Sequence, residues 1–170
     1  DQSIYDAEDI KNGNFKINGM NKYRTGFDYP GPHQGNFVNN GLVTAERAWS
    51  PELTNVKHVY QYIKFVAYDV ESRNITIKND YDFISLDKFY MEYSVLLDGK
   101  VVENGRLDMP AVSPGAEATL NIPYKTETIS GKEMLLNIEL RYKDEQSWAD
   151  AGYCIAAGQY TLVNRDTSAF

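Results

Sequence analysis

From Val56 onward, apolar and polar positions alternate in run after run. The clearest run sets Met134, Leu136, Ile138, Leu140 and Tyr142 against Asn137, Glu139, Arg141 and Lys143. A period of two puts one set of side chains on a buried face and the other in water, so this run predicts a half-buried strand. Phe89, Met91, Tyr93, Val95 and Leu97 repeat the pattern, with Lys88, Glu92 and Ser94 on the other face. Asp98-Gly99 follows, a pair suited to the positive φ angles of a two-residue hairpin turn, and leads into Val101 and Val102. Asn74 to Lys78 alternates, and Ala118, Leu120 and Ile122 alternate with Thr119 and Asn121. Val59 to Tyr68 is a dense aromatic and β-branched run, with His58 at its start, and Tyr153 to Val163 reads as a last, more buried strand. No stretch keeps a sustained helical period. About seven short strands with turns between them predict an all-β fold: an antiparallel β-sandwich of immunoglobulin-like or fibronectin-like type.

The chain before Thr54 has another character. "KNGNFKINGMN" and "YRTGFDYPGPHQGN" are rich in turn-forming residues and lack periodicity. Structureless stretches of that length are uncommon inside a self-contained domain. Residues 1–54 are therefore expected to be an irregular extension that belongs against something else, and residues 55–170 the sandwich.

Composition narrows the function classes. A chain of 170 residues can bury a sizeable core. Aromatic residues make up 13% of it, 13 of them in the form of tyrosines, which suits pleated sheet faces. The formal net charge of -7 sets it against phosphate backbones, so no nucleic acid is expected as a partner. No apolar run approaches the length of a membrane helix, and no membrane partner is expected. Cys154, the single cysteine, has no partner for an internal disulfide. The first residue is Asp1 and no leader is visible, so the chain reads as a processed or excised piece.

Candidate chemistry is sparse. A serine or cysteine nucleophile needs a base, and the chain offers only His33, in a Pro/Gly loop, and His58; both are read as structural. Glycoside hydrolysis needs two carboxylates across a cleft. Asp144-Glu145 and Asp80-Tyr81-Asp82 look like solvated turn charges, and nothing singles out a pair. Asp6, Glu8, Asp9 and Asn12 cluster before Gly13 but miss the spacing of a calcium loop. Asn74-Ile75-Thr76 matches a glycosylation acceptor within a strand and carries little weight. Trp49, Trp148, Tyr60, Tyr62 and Tyr90 are candidates for a sugar-stacking face or for packing against a neighbouring domain.

One stretch is more specific. Gly35 to Phe65, "GNFVNNGLVTAERAWSPELTNVKHVYQYIKF", resembles the junction between catalytic barrel and immunoglobulin-like domain in the large bacterial β-galactosidases of glycoside hydrolase family two. The resemblance is carried by Phe37, Asn40, Gly41, Leu42 and Val43, then by Arg47, Pro51, Leu53 and Lys57. Asp1-Gln2-Ser3 is similar to the end of the barrel's tryptophan-rich strand. "YRTGFDYPGP" resembles that family's Tyr-Gly-Gly-Asp-Phe loop, in a different order. "LLDGKVVENGRLDMPAVSPG" and "SWADAGYCIAAGQYTL" resemble its Asp-Gly hairpin and its last strand, so nearly the whole chain is covered.

The resemblance implies a division of labour. Both catalytic glutamates would lie upstream of Asp1, so this chain would hold no catalytic residue and act as a spacer between the barrel and a C-terminal β domain. The parent would be a retaining β-galactosidase acting on galactosides, cytoplasmic or periplasmic, that uses sodium and magnesium. Phe37, through its carbonyl, and Asn40, through its side chain, would supply part of a sodium site, with the Phe37 ring near the galactose. A further aspartate ligand would come from elsewhere in the parent, leaving this chain half a site and no cofactor of its own. A free-standing carbohydrate-binding or protein-interaction module and a small complete enzyme are the competing readings.

Overall fold

The computed structural model describes residues 51–166 throughout and, before them, residues 12, 16–17, 20–21, 31–32, 41–43 and 48–50. The chain divides into two compact units, Asp1–Val59 and Tyr60–Phe170.

In the first unit, β1 (Lys16–Ile17) pairs antiparallel with β2 (Met20–Asn21). A helix, α1, spans Pro51–Val59. It corrects two expectations, the lack of any helix and a strand start at His58, which lies in its last turn. The physical reason is local. Ser50 accepts the Leu53 N–H on its Oγ at 3.1 Å, the bond expected of a residue capping a helix N-terminus. Pro51 fills the first helical position, where its missing N–H costs nothing. Glu52 in the first turn and Lys57 and His58 in the last complement the helix dipole. No residue of α1 is buried, so there is no apolar stripe for a periodicity argument to find.

The second unit holds seven strands in two sheets. β3 (Ile63–Asp69), β4 (Asn74–Asn79) and β7 (Glu117–Asn121) form one sheet in the order β3-β4-β7. β5 (Phe89–Leu97), β6 (Lys100–Asp108), β8 (Met134–Tyr142) and β9 (Cys154–Val163) form the other in the order β6-β5-β8-β9. Every pairing is antiparallel. The chain is thus an all-β sandwich of the expected class.

β8 realises its alternation in full, with residues 134, 136, 138, 140 and 142 buried and those between them half-buried. Ile63, Ile75 and Ile77 face them from the other sheet within one core cluster. Asp98 and Gly99 both take positive φ, 47° and 79°, as the β5–β6 hairpin requires. Tyr93 lies across its cross-strand partner Gly105, where a Cβ would sit 2.3 Å from the Tyr93 hydroxyl oxygen. The glycine therefore leaves the seat that this ring fills. β9 is less buried than expected: only Ala156 and Leu162 are fully enclosed, because it forms the outer edge of its sheet. Gln61 serves that edge. Its side-chain amide donates to the Ala157 carbonyl at 3.3 Å and accepts the Ala157 N–H at 3.0 Å.

Candidate functional site

The junction is described only in part. Val43 bridges Trp49, and the Ser50 hydroxyl donates to the Leu42 carbonyl at 2.6 Å. Trp49 Nε1 donates to Thr54 Oγ1 at 2.6 Å, and the Lys57 ammonium stands 5.8 Å from the Trp49 ring centre. These bonds fold the turn before α1 onto the helix itself. Phe37 and Asn40, the two residues expected to contribute to a sodium site, lie outside the described residues, as do His33 and the acids at positions 6, 8 and 9.

A groove of about 460 Å³ runs over the outer face of the four-stranded sheet, lined by Glu92, Ser94, Asn104, Arg106, Asn137 and Glu139. Glu92 and Glu139 are cross-strand partners, and like charges so placed repel. Arg141 neutralises both. Its Nε lies 2.8 Å from Glu92 Oε2, its Nη2 meets Glu139 Oε2, and its Nη1 donates to the Gly152 carbonyl at 2.7 Å. Both carboxylates are tied to one guanidinium rather than poised across an open cleft. Gln159 further donates to Asn137 Oδ1 at 2.7 Å. Tyr90 is not available for stacking: the Arg106 guanidinium covers its ring at 3.6 Å and leaves it 8% exposed. Among the described residues no cluster of three or more histidine, cysteine, aspartate or glutamate side chains is placed to hold a metal.

One end of the sandwich is built differently. There β4 ends, β5 begins, β8 ends and β9 begins. Tyr62 stacks on Tyr81 at 5.0 Å, Tyr81 on Phe89 at 6.0 Å, and Phe89 tilts against Tyr142 at 4.9 Å. Tyr142 and Tyr153 both meet Trp148 edge-on, at 5.8 and 5.5 Å. Burial, with Tyr142 alongside, pushes the Tyr81 hydroxyl up to about 12, so it stays protonated near neutrality. The string starts in the core at Phe89 and reaches water at Tyr62, 55% exposed, and Trp148, 63% exposed. Phe83, in the same loop as Tyr81, is 95% exposed. That loop is anchored by Asn79, among the described residues the one polar side chain buried in the core, whose amide donates to Ile84 O and Val112 O at 2.8 Å each. Its carbonyl oxygen accepts the Tyr81 N–H at 3.0 Å.

Residues 75–163, from β4 to the end of β9, match the family described as β-galactosidase, domain 4. The chain belongs to that family. The β-galactosidase domain 4 reading is joined by relatives aligned over most of the chain. A β-galactosidase of Clostridium acetobutylicum is 35% identical over 134 residues, 79% of this chain and 14% of that protein. Those of Streptococcus thermophilus and Priestia megaterium are 32% and 31% identical over 80% and 77% of the chain, each covering 13% of the relative. The chain thus spans about one-seventh of the β-galactosidases it matches. The 134 aligned residues exceed those of Tyr60–Phe170, so the likeness reaches back into the junction.

For this β-galactosidase domain the aromatic candidates divide. Tyr62 and Trp148 fall on the ring string, Trp49 belongs to the junction and Tyr90 is covered. Phe83 and Asn79 carry no signal of their roles in the sequence. A phenylalanine between Asp82 and Ile84 looks like any turn residue beside an apolar one, and a buried asparagine carries no sign of its burial.

Proposed function

We propose that this chain is a non-catalytic spacer domain of a larger, retaining β-galactosidase that hydrolyses terminal β-galactosides. The observation that carries the reading is the family match within a span of about 13% of β-galactosidases. The ion triad of Glu92, Arg141 and Glu139 supports it, because two carboxylates held by one guanidinium do not flank a scissile bond as glycoside hydrolysis requires. The acid/base and nucleophile glutamates would then lie in other domains of the same polypeptide. Sodium and magnesium would be ions of the complete enzyme. Phe37 and Asn40 offer a backbone carbonyl and an amide oxygen, donors that suit a hard cation, toward the sodium.

The test is turnover. The isolated 170-residue chain is expected to release no nitrophenol from a nitrophenyl β-galactoside that the complete polypeptide cleaves. Turnover by the isolated chain, abolished by Glu92→Gln or Glu139→Gln, would overturn the reading. In the complete polypeptide, Asn40→Ala is expected to raise both KM and the sodium concentration needed for half-maximal rate. An unchanged sodium dependence would remove Asn40 from that site.

A further inference from the structure

We infer that the aromatic end of the sandwich is a docking surface for another domain of the same polypeptide, one presenting an apolar patch edged by lysine or arginine. The inference rests on the spacer reading and gives it a place on the molecule. Phe83, Trp148 and Tyr62 stand largely in water, yet the rings behind Trp148 and Tyr62 run without a break into the core. They are also held. Trp148 sits at the tip of a tight turn closed by the Gln146 N–H donating to the Ala149 carbonyl at 2.7 Å. Phe83 rides on the loop that Asn79 pins from beneath. A ring already fixed by its neighbours, as Trp148 is by Tyr142 and Tyr153, loses little freedom on association, which is why such groups anchor interfaces.

The rim names the chemistry of the occupant. Asp82, Asp87, Asp144, Glu145 and Asp150 are exposed around this end, against Lys88 and Lys143, and Lys143 already lies 3.6 Å from Asp108. An apolar centre inside a carboxylate rim fits a surface of like shape bordered by cations. Tethering explains why so small a patch suffices. The relatives are about sevenfold longer than the aligned span, and the chain enters the sandwich at this same end, through Tyr60 and Tyr62. A linked domain meets the patch at high effective concentration, so few contacts hold it.

Hydroxyl-radical footprinting of the isolated chain and of the complete polypeptide tests this. Oxidation of Phe83 and Trp148 is expected to fall several-fold in the complete polypeptide. Phe83→Asp should restore Trp148 oxidation there and lower the temperature of half-inactivation by several degrees, while leaving the melting temperature of the isolated chain unchanged. Equal oxidation in both forms overturns the inference. So does protection in the isolated chain that grows with its own concentration, which would place a second copy on the patch. Protection of the isolated chain by added galactose or lactose overturns it in favour of a sugar platform. Turnover by the isolated chain would sink the spacer reading alone, with the footprint still deciding who covers the rings.

Discussion

The two ends of this sandwich solve one problem in opposite ways. At the end where β5 turns into β6, exposed charge is met from within the domain. Asp98 receives Lys132 at 3.0 Å and Arg165 at 3.3 Å, and Asp69 accepts the Ser72 hydroxyl at 2.7 Å and the Glu71 N–H at 3.0 Å. The aromatic rings there are sealed too. Tyr68 and Tyr124 share a hydroxyl–hydroxyl bond of 2.9 Å, and Arg73 covers Tyr124 at 4.6 Å while donating to its carbonyl. At the opposite end the string of Tyr62, Tyr81, Phe89, Tyr142 and Trp148 is buried at its middle, and its outer members Tyr62 and Trp148 stand largely in water. The exposed apolar residues at the β5–β6 end are the aliphatic Val101, Val102 and Ile129, whereas the opposite end exposes the rings of Phe83, Tyr62 and Trp148.

The severest way to break the contrast is to remove its hinge. Phe89 is fully buried and joins the two halves of the ring string, so Phe89→Ala should cost about 3–5 kcal/mol in the isolated chain, read by urea unfolding. A loss under about 1 kcal/mol would mean that the string is not part of the core. Next comes its anchor. Asn79→Ala strips the Ile84 and Val112 carbonyls of their donor and the Tyr81 N–H of its acceptor, and should cost about 2–3 kcal/mol. Hydrogen exchange at Tyr81 should rise with it.

The polar end is tested by acid. The Lys132 ammonium, helped by Arg165, holds the Asp98 carboxyl below its usual range despite some desolvation. A depressed folded-state pKa contributes stability above the unfolded-state value, near pH 4, that is lost as pH falls through the folded value. Asp98→Asn tolerates the positive φ but has no charge to titrate. Its unfolding midpoint should therefore change less than the parent's between pH 6 and pH 2, and parallel profiles would dismiss the clasp. The smallest effect is expected at the most exposed ring. Phe83→Asp should shift the isolated domain by less than about 0.5 kcal/mol, and a larger loss would show that Phe83 already serves the fold.

The strands were legible because each has one wet face. Met134 to Tyr142 declares its burial by alternation, and Asp98-Gly99 declares its turn by the φ angles it tolerates. α1 was not, because a cap and not an apolar stripe sets it: Ser50 and Pro51 lie where the eye follows Val59 into the next strand. The string of rings was half legible. Tyr62 and Trp148 stand out as exposed rings, but Tyr90 looks the same in sequence and is hidden by Arg106 from the neighbouring strand. Asp80-Tyr81-Asp82 reads as solvated charge, yet Tyr81 stacks inward while Asp80 pairs with Lys78 at 2.7 Å. Such outcomes depend on what another strand brings alongside, and local pattern carries no record of that. The junction pattern of Phe37 and Asn40 was legible as a resemblance, and its geometry lies outside the described residues.

The amide of Gln61 closes on Ala157 across 96 residues of chain. A ribosome adding about 5–20 residues per second needs roughly 5–20 s to deliver the second partner after the first. For that interval the nascent domain has made its first strand but not its last, and β8 emerges with one side still unpaired. The sandwich is therefore fastened from both ends of its own synthesis at once. Until Ala157 leaves the exit tunnel, the growing chain offers an open strand edge to whatever waits there.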